Sequence, residues 1–164
     1  MTEKRQESNR ELSIQQHFAP CLAEDWPRLQ VTHTEGLYLY TEDGCQIMDF
    51  ISGIAVANLG HNHPRVLAAA RSQMEKLVHN AVGIVFSEPV VKLAEALPEV
   101  MPGGLDMFFF GNSGAEAVEG SLKMARYVTE RPAIIAFKGS FHGRSYGAAS
   151  VTSVKSKYRM RYEP

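Results

Sequence analysis

Two short apolar runs on either side of a patterned helix constrain the fold of this chain most strongly. LDMFFF at 105–110 ends at a glycine, and AIIAF at 133–137 follows a proline. Between them, from Ser113 to about Thr129, apolar residues recur at the spacing of a helix face. Strand, helix and strand in this order predict a βαβ unit with parallel strands that are buried on both faces.

The segment before this unit has a different pattern. Residues 29–50, LQVTHTEGLYLYTEDGCQIMDF, alternate apolar and polar side chains between turn dipeptides, which predicts two or three short antiparallel strands. Two helices are predicted next, one beginning at Pro64 and one near Ser87. The predicted fold class is therefore α/β, with an N-terminal antiparallel flap and helices that lead into the first βαβ unit of a mostly parallel sheet.

The 164 residues divide into three predicted parts. Residues 1–19 are polar and predicted to be a disordered lead-in, 20–80 form an N-terminal small-domain segment, and 81–164 begin a larger domain that binds a ligand. The formal net charge of −1 gives no electrostatic reason to expect nucleic acid or an anionic membrane as a partner. Only two cysteines, Cys21 and Cys45, are present, which favours a reducing cytoplasmic location.

The segment GNSGAE at 111–116 joins the first predicted strand to the helix. Ligands of open parallel sheets bind at the carboxyl ends of strands, and a helix N-terminus there offers free N–H groups and a positive dipole end. Gly114 and Ala115 leave those groups accessible and Ser113 adds a hydroxyl, so a phosphate site is predicted. An alternative needs no ligand, because Ser113 and Glu116 also match a helix capping box.

The type of phosphate follows from two motifs that this sequence does not contain. Neither the triphosphate-binding G-x-x-x-x-G-K-[ST] nor the dinucleotide-binding G-x-G-x-x-G occurs. A single phosphate monoester suits the short G-x-x-G turn better, and a nucleotide-binding function has little support. Two histidines, His61 and His63, lie close in sequence, but two ligands do not make a zinc site, and no metal is expected.

The second predicted strand leads into KGSFHGRSYGA, which holds three further candidates. Phe141 is suited to stacking on a planar heteroaromatic ligand, or to packing into the core. His142 is suited to hydrogen bonding or acid–base work, or to a structural role. Arg144 is suited to binding a carboxylate, or to a surface salt bridge.

Two of these motifs together resemble a known family. NSGAEAVEGSLKMAR followed by FKGSFHGRSYGA is similar to the class III aminotransferases, which are fold type I enzymes that use pyridoxal 5′-phosphate. DFISGIAVANLGHNHP and VHNAVGIVFSEPVVKLAEAL resemble the N-terminal segments of that family, so the resemblance covers about residues 20–164. The closing TSVKSKYRMRYEP is most similar to the 4-aminobutyrate and other ω-amino-acid transaminases.

The resemblance implies a role for each candidate residue. The cofactor phosphate would be bound by Ser113, Gly114 and Ala115, and the cofactor ring by Phe141 and His142. The substrate would be contacted by Ile54 as an apolar wall and by Arg144 as a carboxylate ligand. The family site lies at a homodimer interface, which the segment around His79 and Asn80 would approach.

Transamination also requires a Schiff-base lysine and a carboxylate facing the pyridinium nitrogen. In the family both follow the FHGR motif at a distance, so both are expected after Pro164. The expected function is the N-terminal part of a transaminase that moves an amino group from an ω-amino acid to a 2-oxo acid, inactive by itself. The alternatives are an acetylornithine or ornithine aminotransferase of the same family and a non-catalytic dimerisation module.

Overall fold

The structure is a computed structural model that describes residues 29–160. The chain forms two compact units, one ending at His79 and one beginning at Asn80. The predicted lead-in at 1–19 lies outside the described residues, and the division into 20–80 and 81–164 stays a prediction. No helix within 29–160 is long and apolar enough to cross a membrane.

The first unit contains a small antiparallel sheet. Its strands are β1 (Val31–Glu35), β2 (Tyr38–Thr41) and β3 (Gln46–Met48), and they lie in the order β1-β2-β3. Gly36 and Gly44 lie in the two connections with φ values of +55° and +82°, a conformation that glycine adopts at little cost. The antiparallel flap predicted from the alternating pattern is confirmed.

A single helical turn, Ser52–Ala55, follows the sheet and has an unusual backbone. Ser52, Ile54 and Ala55 have φ values of 53°, 64° and 61°, which place three non-glycine residues in the left-handed region. Each such residue costs about 1–2 kcal/mol relative to the right-handed conformation. This turn therefore persists only because other contacts hold it.

Three longer helices were predicted, and all three form. They are α1 (Pro64–Lys76) in the first unit, and α2 (Glu88–Ala96) and α3 (Gly114–Thr129) in the second. A proline in the first turn of α1 and of α2 fits the fixed φ of that residue and its missing N–H. The second unit also has a short helix that was not predicted, α4 (Tyr146–Val151). Two single 3₁₀ turns, Leu97–Glu99 and Ser156–Tyr158, complete the described helical structure.

The two predicted buried strands do not form. Residues 105–110 and 133–137 have no assigned secondary structure, and the sheet found within 29–160 is the three-stranded antiparallel one. Ile135 is 95% exposed and Met107 is 91% exposed, so the predicted burial is wrong here as well. The physical reason is that a parallel strand needs a hydrogen-bonding neighbour on the same sheet, and these two runs do not pair with each other.

The largest fully buried side chain of the described residues belongs to Thr152, and Ala148 and Ala149 of α4 are buried as well. Its hydroxyl accepts a hydrogen bond from the backbone N–H of His142 at 3.0 Å. The same hydroxyl lies 3.1 Å from the carbonyl oxygen of Gly143 and 2.9 Å from that of Ala148, and it donates to these acceptors. Thr152 thus joins the loop around 142–143 to α4.

We expect Thr152→Val to destabilise the protein by about 1–3 kcal/mol, because it leaves a buried N–H and buried carbonyl groups without their partner while conserving the side-chain shape. Thr129→Val is the matched control, since the Thr129 hydroxyl donates to Ala125 at an exposed position. The control should change the free energy of unfolding by no more than about 0.5 kcal/mol. Denaturant unfolding of both variants measures the difference, and equal effects would contradict the role assigned to Thr152.

Candidate active site

The N-terminus of α3 is capped by its own side chains. The Ser113 hydroxyl accepts a hydrogen bond from the Glu116 N–H at 3.2 Å, and the Ser113 carbonyl accepts one from Ala117 at 3.1 Å. The Glu116 carboxylate accepts a hydrogen bond from the Asn112 N–H. The predicted capping box is present, with the difference that the glutamate bonds to Asn112 rather than to Ser113.

The cap leaves the first two helical amides available. The N–H groups of Gly114 and Ala115 have no acceptor within a helix that begins at Gly114. A Cβ atom placed on Gly114 would meet no atom within 4 Å, so the space beside this backbone is open. The capping box and a phosphate seat are therefore compatible, because they use different N–H groups of the same turn.

The loop that carries the second motif packs directly on this first turn. A Cβ atom on Gly143 would lie 2.8 Å from the Cβ atom of Ala115 and 3.1 Å from that of Ala148. Gly143 also has a φ of +131°, so both its conformation and its surroundings require glycine. The structure therefore brings together the two motifs that the sequence separates, with Gly143 at their contact.

The three candidate side chains around Gly143 have different surroundings. Phe141 is 55% exposed and meets the ring of Tyr158 edge-on, with 5.9 Å between centroids, so it is not a core residue in the described structure. His142 is half-buried and its backbone is bound to Thr152. Arg144 is exposed and has no salt-bridge partner within residues 29–160.

Sequence reasoning missed Glu119, which joins α3 to the start of α4. One oxygen of its carboxylate accepts hydrogen bonds from the Ser145 hydroxyl at 2.7 Å, the Gly147 N–H at 2.8 Å and the Ala148 N–H at 3.1 Å. The Ser145 hydroxyl and then these backbone groups hold the pKa of Glu119 below its usual value. No sequence signal identifies this role, because a glutamate within a helix is ordinarily a solvated residue.

Ile54 belongs to the first unit and is 84% exposed at the left-handed turn. Asp49 holds this turn, because one carboxylate oxygen accepts hydrogen bonds from Ile51 N–H at 2.9 Å and Ser52 N–H at 2.8 Å. The other oxygen accepts one from His61 Nε2 at 2.7 Å. His61 thus has a structural partner. Within residues 29–160 no three side chains of His, Cys, Asp or Glu converge as metal ligands would.

The comparisons with known proteins identify the family. The class-III aminotransferase profile matches residues 22–164, and the chain belongs to this family. An acetylornithine aminotransferase of Archaeoglobus fulgidus is 42% identical over 137 residues, which are 84% of this chain and 36% of that protein. A probable 4-aminobutyrate aminotransferase of Bacillus subtilis is 38% identical over 131 residues, which are 79% of this chain and 30% of that protein.

Solved structures agree with this assignment. A transaminase from a marine Virgibacillus superposes with a TM-score of 0.82 at 25% identity, covering 95% of this chain and 38% of that one. The taurine:2-oxoglutarate aminotransferase of Bifidobacterium kashiwanohense, solved in complex with PLP and glutamate, superposes with a TM-score of 0.76 at 30% identity, covering 89% and 33%. These neighbours confirm the predicted fold class, although the two strands of its predicted βαβ unit do not form within residues 29–160. The chain spans about a third of the length of the relatives it matches.

The Asp49 contacts lead to a pH prediction. The hydrogen bond from His61 and then that from Ser52 lower the pKa of Asp49 from its usual 3.8. A carboxylate whose pKa is lower in the folded state stabilises that state at higher pH and loses the effect as pH falls through the folded pKa. We therefore expect the turn at 52–55 to loosen at acid pH, starting near 3.8 and continuing below it.

Asp49→Asn should weaken the turn at neutral pH and remove its pH dependence in that acid range, because asparagine does not titrate. NMR signals of the Ile51 and Ser52 amides, followed against pH, measure the effect. Asp106→Asn serves as the control for removing a single carboxylate. Identical acid transitions in the protein with and without Asp49 would refute the assignment.

Proposed function

We propose that this chain is the N-terminal part of a pyridoxal-phosphate-dependent transaminase that moves an amino group from an ω-amino acid, such as 4-aminobutyrate, to a 2-oxo acid. The contact of Gly143 with Ala115 carries the proposal, because it brings a ring-stacking loop to a helix N-terminus with open amides. Membership of the class-III aminotransferase family supports it.

The residues present fit the phosphate group of such a cofactor. The open space beside Gly114 gives a phosphate oxygen access to the Gly114 and Ala115 N–H groups, and the positive end of the α3 dipole attracts it. The Ser113 hydroxyl already accepts the Glu116 N–H, which leaves its own proton free to be donated to a phosphate oxygen. These groups bind an anion without any lysine or arginine.

The cofactor ring would lie at Phe141 and His142. Phe141 is more than half exposed, and stacking of its ring on the cofactor would contribute about 0.5–1.5 kcal/mol beyond the buried area. Pyridoxal phosphate supplies, when bound, the electron-accepting ring that amino-group transfer requires. The chain contributes binding and orientation, and no proton transfer is assigned to its residues.

The substrate would be bound by its carboxylate and its chain. Arg144 is exposed and without an ion pair within the described residues, so its guanidinium is available for a carboxylate. Ile54, on the strained turn, offers an exposed apolar surface for a methylene chain. Acetylornithine and 4-aminobutyrate, which the names of two relatives mention, both carry a terminal amine and a carboxylate. Acetylornithine-type transfer is therefore the second candidate.

Further protein is proposed to cover the apolar runs at 105–110 and 133–137. Their exposed phenylalanine, methionine and isoleucine side chains are of the type that folded proteins bury. We propose that the working enzyme is a cytoplasmic homodimer and that its catalytic lysine lies in a segment outside these 164 residues. The alternative, a non-catalytic dimerisation module, makes no use of the open amides at Gly114.

Gly114→Val tests the phosphate seat. A valine would place a branched side chain in the open space and should weaken pyridoxal phosphate binding by about tenfold, equivalent to one charge-assisted hydrogen bond. Gly103→Val is the matched control, because a Cβ atom there also meets nothing within 4 Å. Fluorescence titration of both variants measures affinity. An undiminished affinity in Gly114→Val would place the cofactor phosphate elsewhere.

The activity assay tests the catalytic assignment. We expect the 164 residues to form no glutamate when they are supplied with pyridoxal phosphate, 4-aminobutyrate and 2-oxoglutarate. None of their lysines stands at the position that matches the catalytic lysine of the family. Glutamate formation by these residues alone would refute that argument. The same assay on the protein as its gene encodes it, with N-acetylornithine as the competing donor, decides between the two substrate candidates.

A further inference from the structure

Glu119 lies outside the groups assigned to the cofactor or the substrate, yet it contacts the loop that carries them. Its carboxylate comes from the second turn of α3, behind the proposed phosphate seat. The three hydrogen bonds it accepts come from Ser145, Gly147 and Ala148, and the first of these donors lies three residues after His142. One carboxylate oxygen therefore joins the helix of the first motif to the loop of the second.

The space around Gly147 is a second, independent sign of this role. A Cβ atom on Gly147 would collide with the carboxylate of Glu119, so a side chain at position 147 would displace that carboxylate from its present contact. Gly147 lies inside α4 and its φ is not in the left-handed region, so backbone conformation does not require glycine there. Glycine is unfavourable within a helix, and its presence is explained by the room that it leaves for Glu119.

The negative charge of Glu119 is favourable at the N-terminus of α4. The N–H groups of Gly147 and Ala148 belong to the first turn of α4, where backbone donors lack partners inside the helix. A carboxylate supplied from α3 satisfies two of these donors. The loop is thus held twice, by Thr152 at His142 and Gly143 and by Glu119 at the start of α4.

We propose that Glu119 is a positioning residue whose carboxylate fixes the Phe141–His142 loop against the helix that seats the cofactor phosphate. This inference rests on the proposed function. Glu119 itself touches neither phosphate nor ring. Its loss should therefore affect binding of the ring, which depends on the loop, more than binding of a bare phosphate, which depends on the first turn of α3.

Two variants distinguish a role of Glu119 in positioning the loop from a general effect on protein stability. Both are made in the protein as its gene encodes it. Glu119→Gln keeps the size of the side chain and removes its charge. Gly147→Ala keeps Glu119 but displaces its carboxylate, while alanine itself favours the helix. Glu75→Gln, an exposed position on α1, is the matched control for removing a glutamate charge from a helix.

Hydrogen exchange of the Gly147 and Ala148 amides, measured without cofactor, tests whether Glu119 holds the start of α4. We expect exchange about tenfold faster in Glu119→Gln and in Gly147→Ala than in the parent protein or in Glu75→Gln. Unchanged exchange in both variants would overturn the proposal. Because alanine has a higher helix propensity than glycine, faster exchange in Gly147→Ala is not explained by a lower helix propensity at this position.

A second measurement tests whether the loop position affects cofactor binding. It compares the affinity of the apo protein for pyridoxal 5′-phosphate with its affinity for inorganic phosphate. Both variants should bind pyridoxal phosphate about threefold or more weakly, in line with lost ring stacking, while their affinity for inorganic phosphate stays within about twofold. An equal loss for both ligands would overturn the positioning role. A parent protein that binds neither ligand would contradict the proposed function instead, and the exchange comparison would still decide whether Glu119 anchors the loop.

Discussion

The contact between Gly143 and Ala115 is the constraint on which the arrangement of the second unit depends. It leaves no room for a Cβ atom at position 143, where the loop faces the methyl group of Ala115. Thr152 holds the loop from its buried side, and Glu119 holds the start of α4. Small residues at this contact thus allow close packing, and the neighbouring Gly114 has open space beside its backbone.

The capping box and the proposed phosphate site use different N–H groups of the same turn. A helix begins with several N–H groups that lack partners inside the helix, and the side chain of Ser113 satisfies only that of Glu116. The remaining donors lie where the helix dipole favours negative charge. A phosphate monoester bound as proposed would therefore complete the helix terminus instead of competing with its cap.

The first unit exposes its proposed substrate residue, Ile54, on a strained turn. Three non-glycine residues of the turn at 52–55 are held in the left-handed region, and Asp49 fixes the turn through two backbone N–H groups and His61. Such backbone strain persists only where surrounding contacts hold the conformation in place, and it is common at functional sites. Here it presents Ile54, the residue proposed to contact the substrate chain, on an exposed surface.

Local sequence determined the elements whose causes are local: the flap from its alternation, α1 and α2 from their first-turn prolines, and α3 from its cap. The two motifs also sufficed to predict the family. Burial at 105–110 and 133–137 could not be predicted in this way, because a strand exists only when a neighbour completes its ladder. Only the tertiary structure decided that Gly143 rests on Ala115 and that Glu119 anchors α4, since contacts between residues distant in sequence leave no periodic signal along the chain.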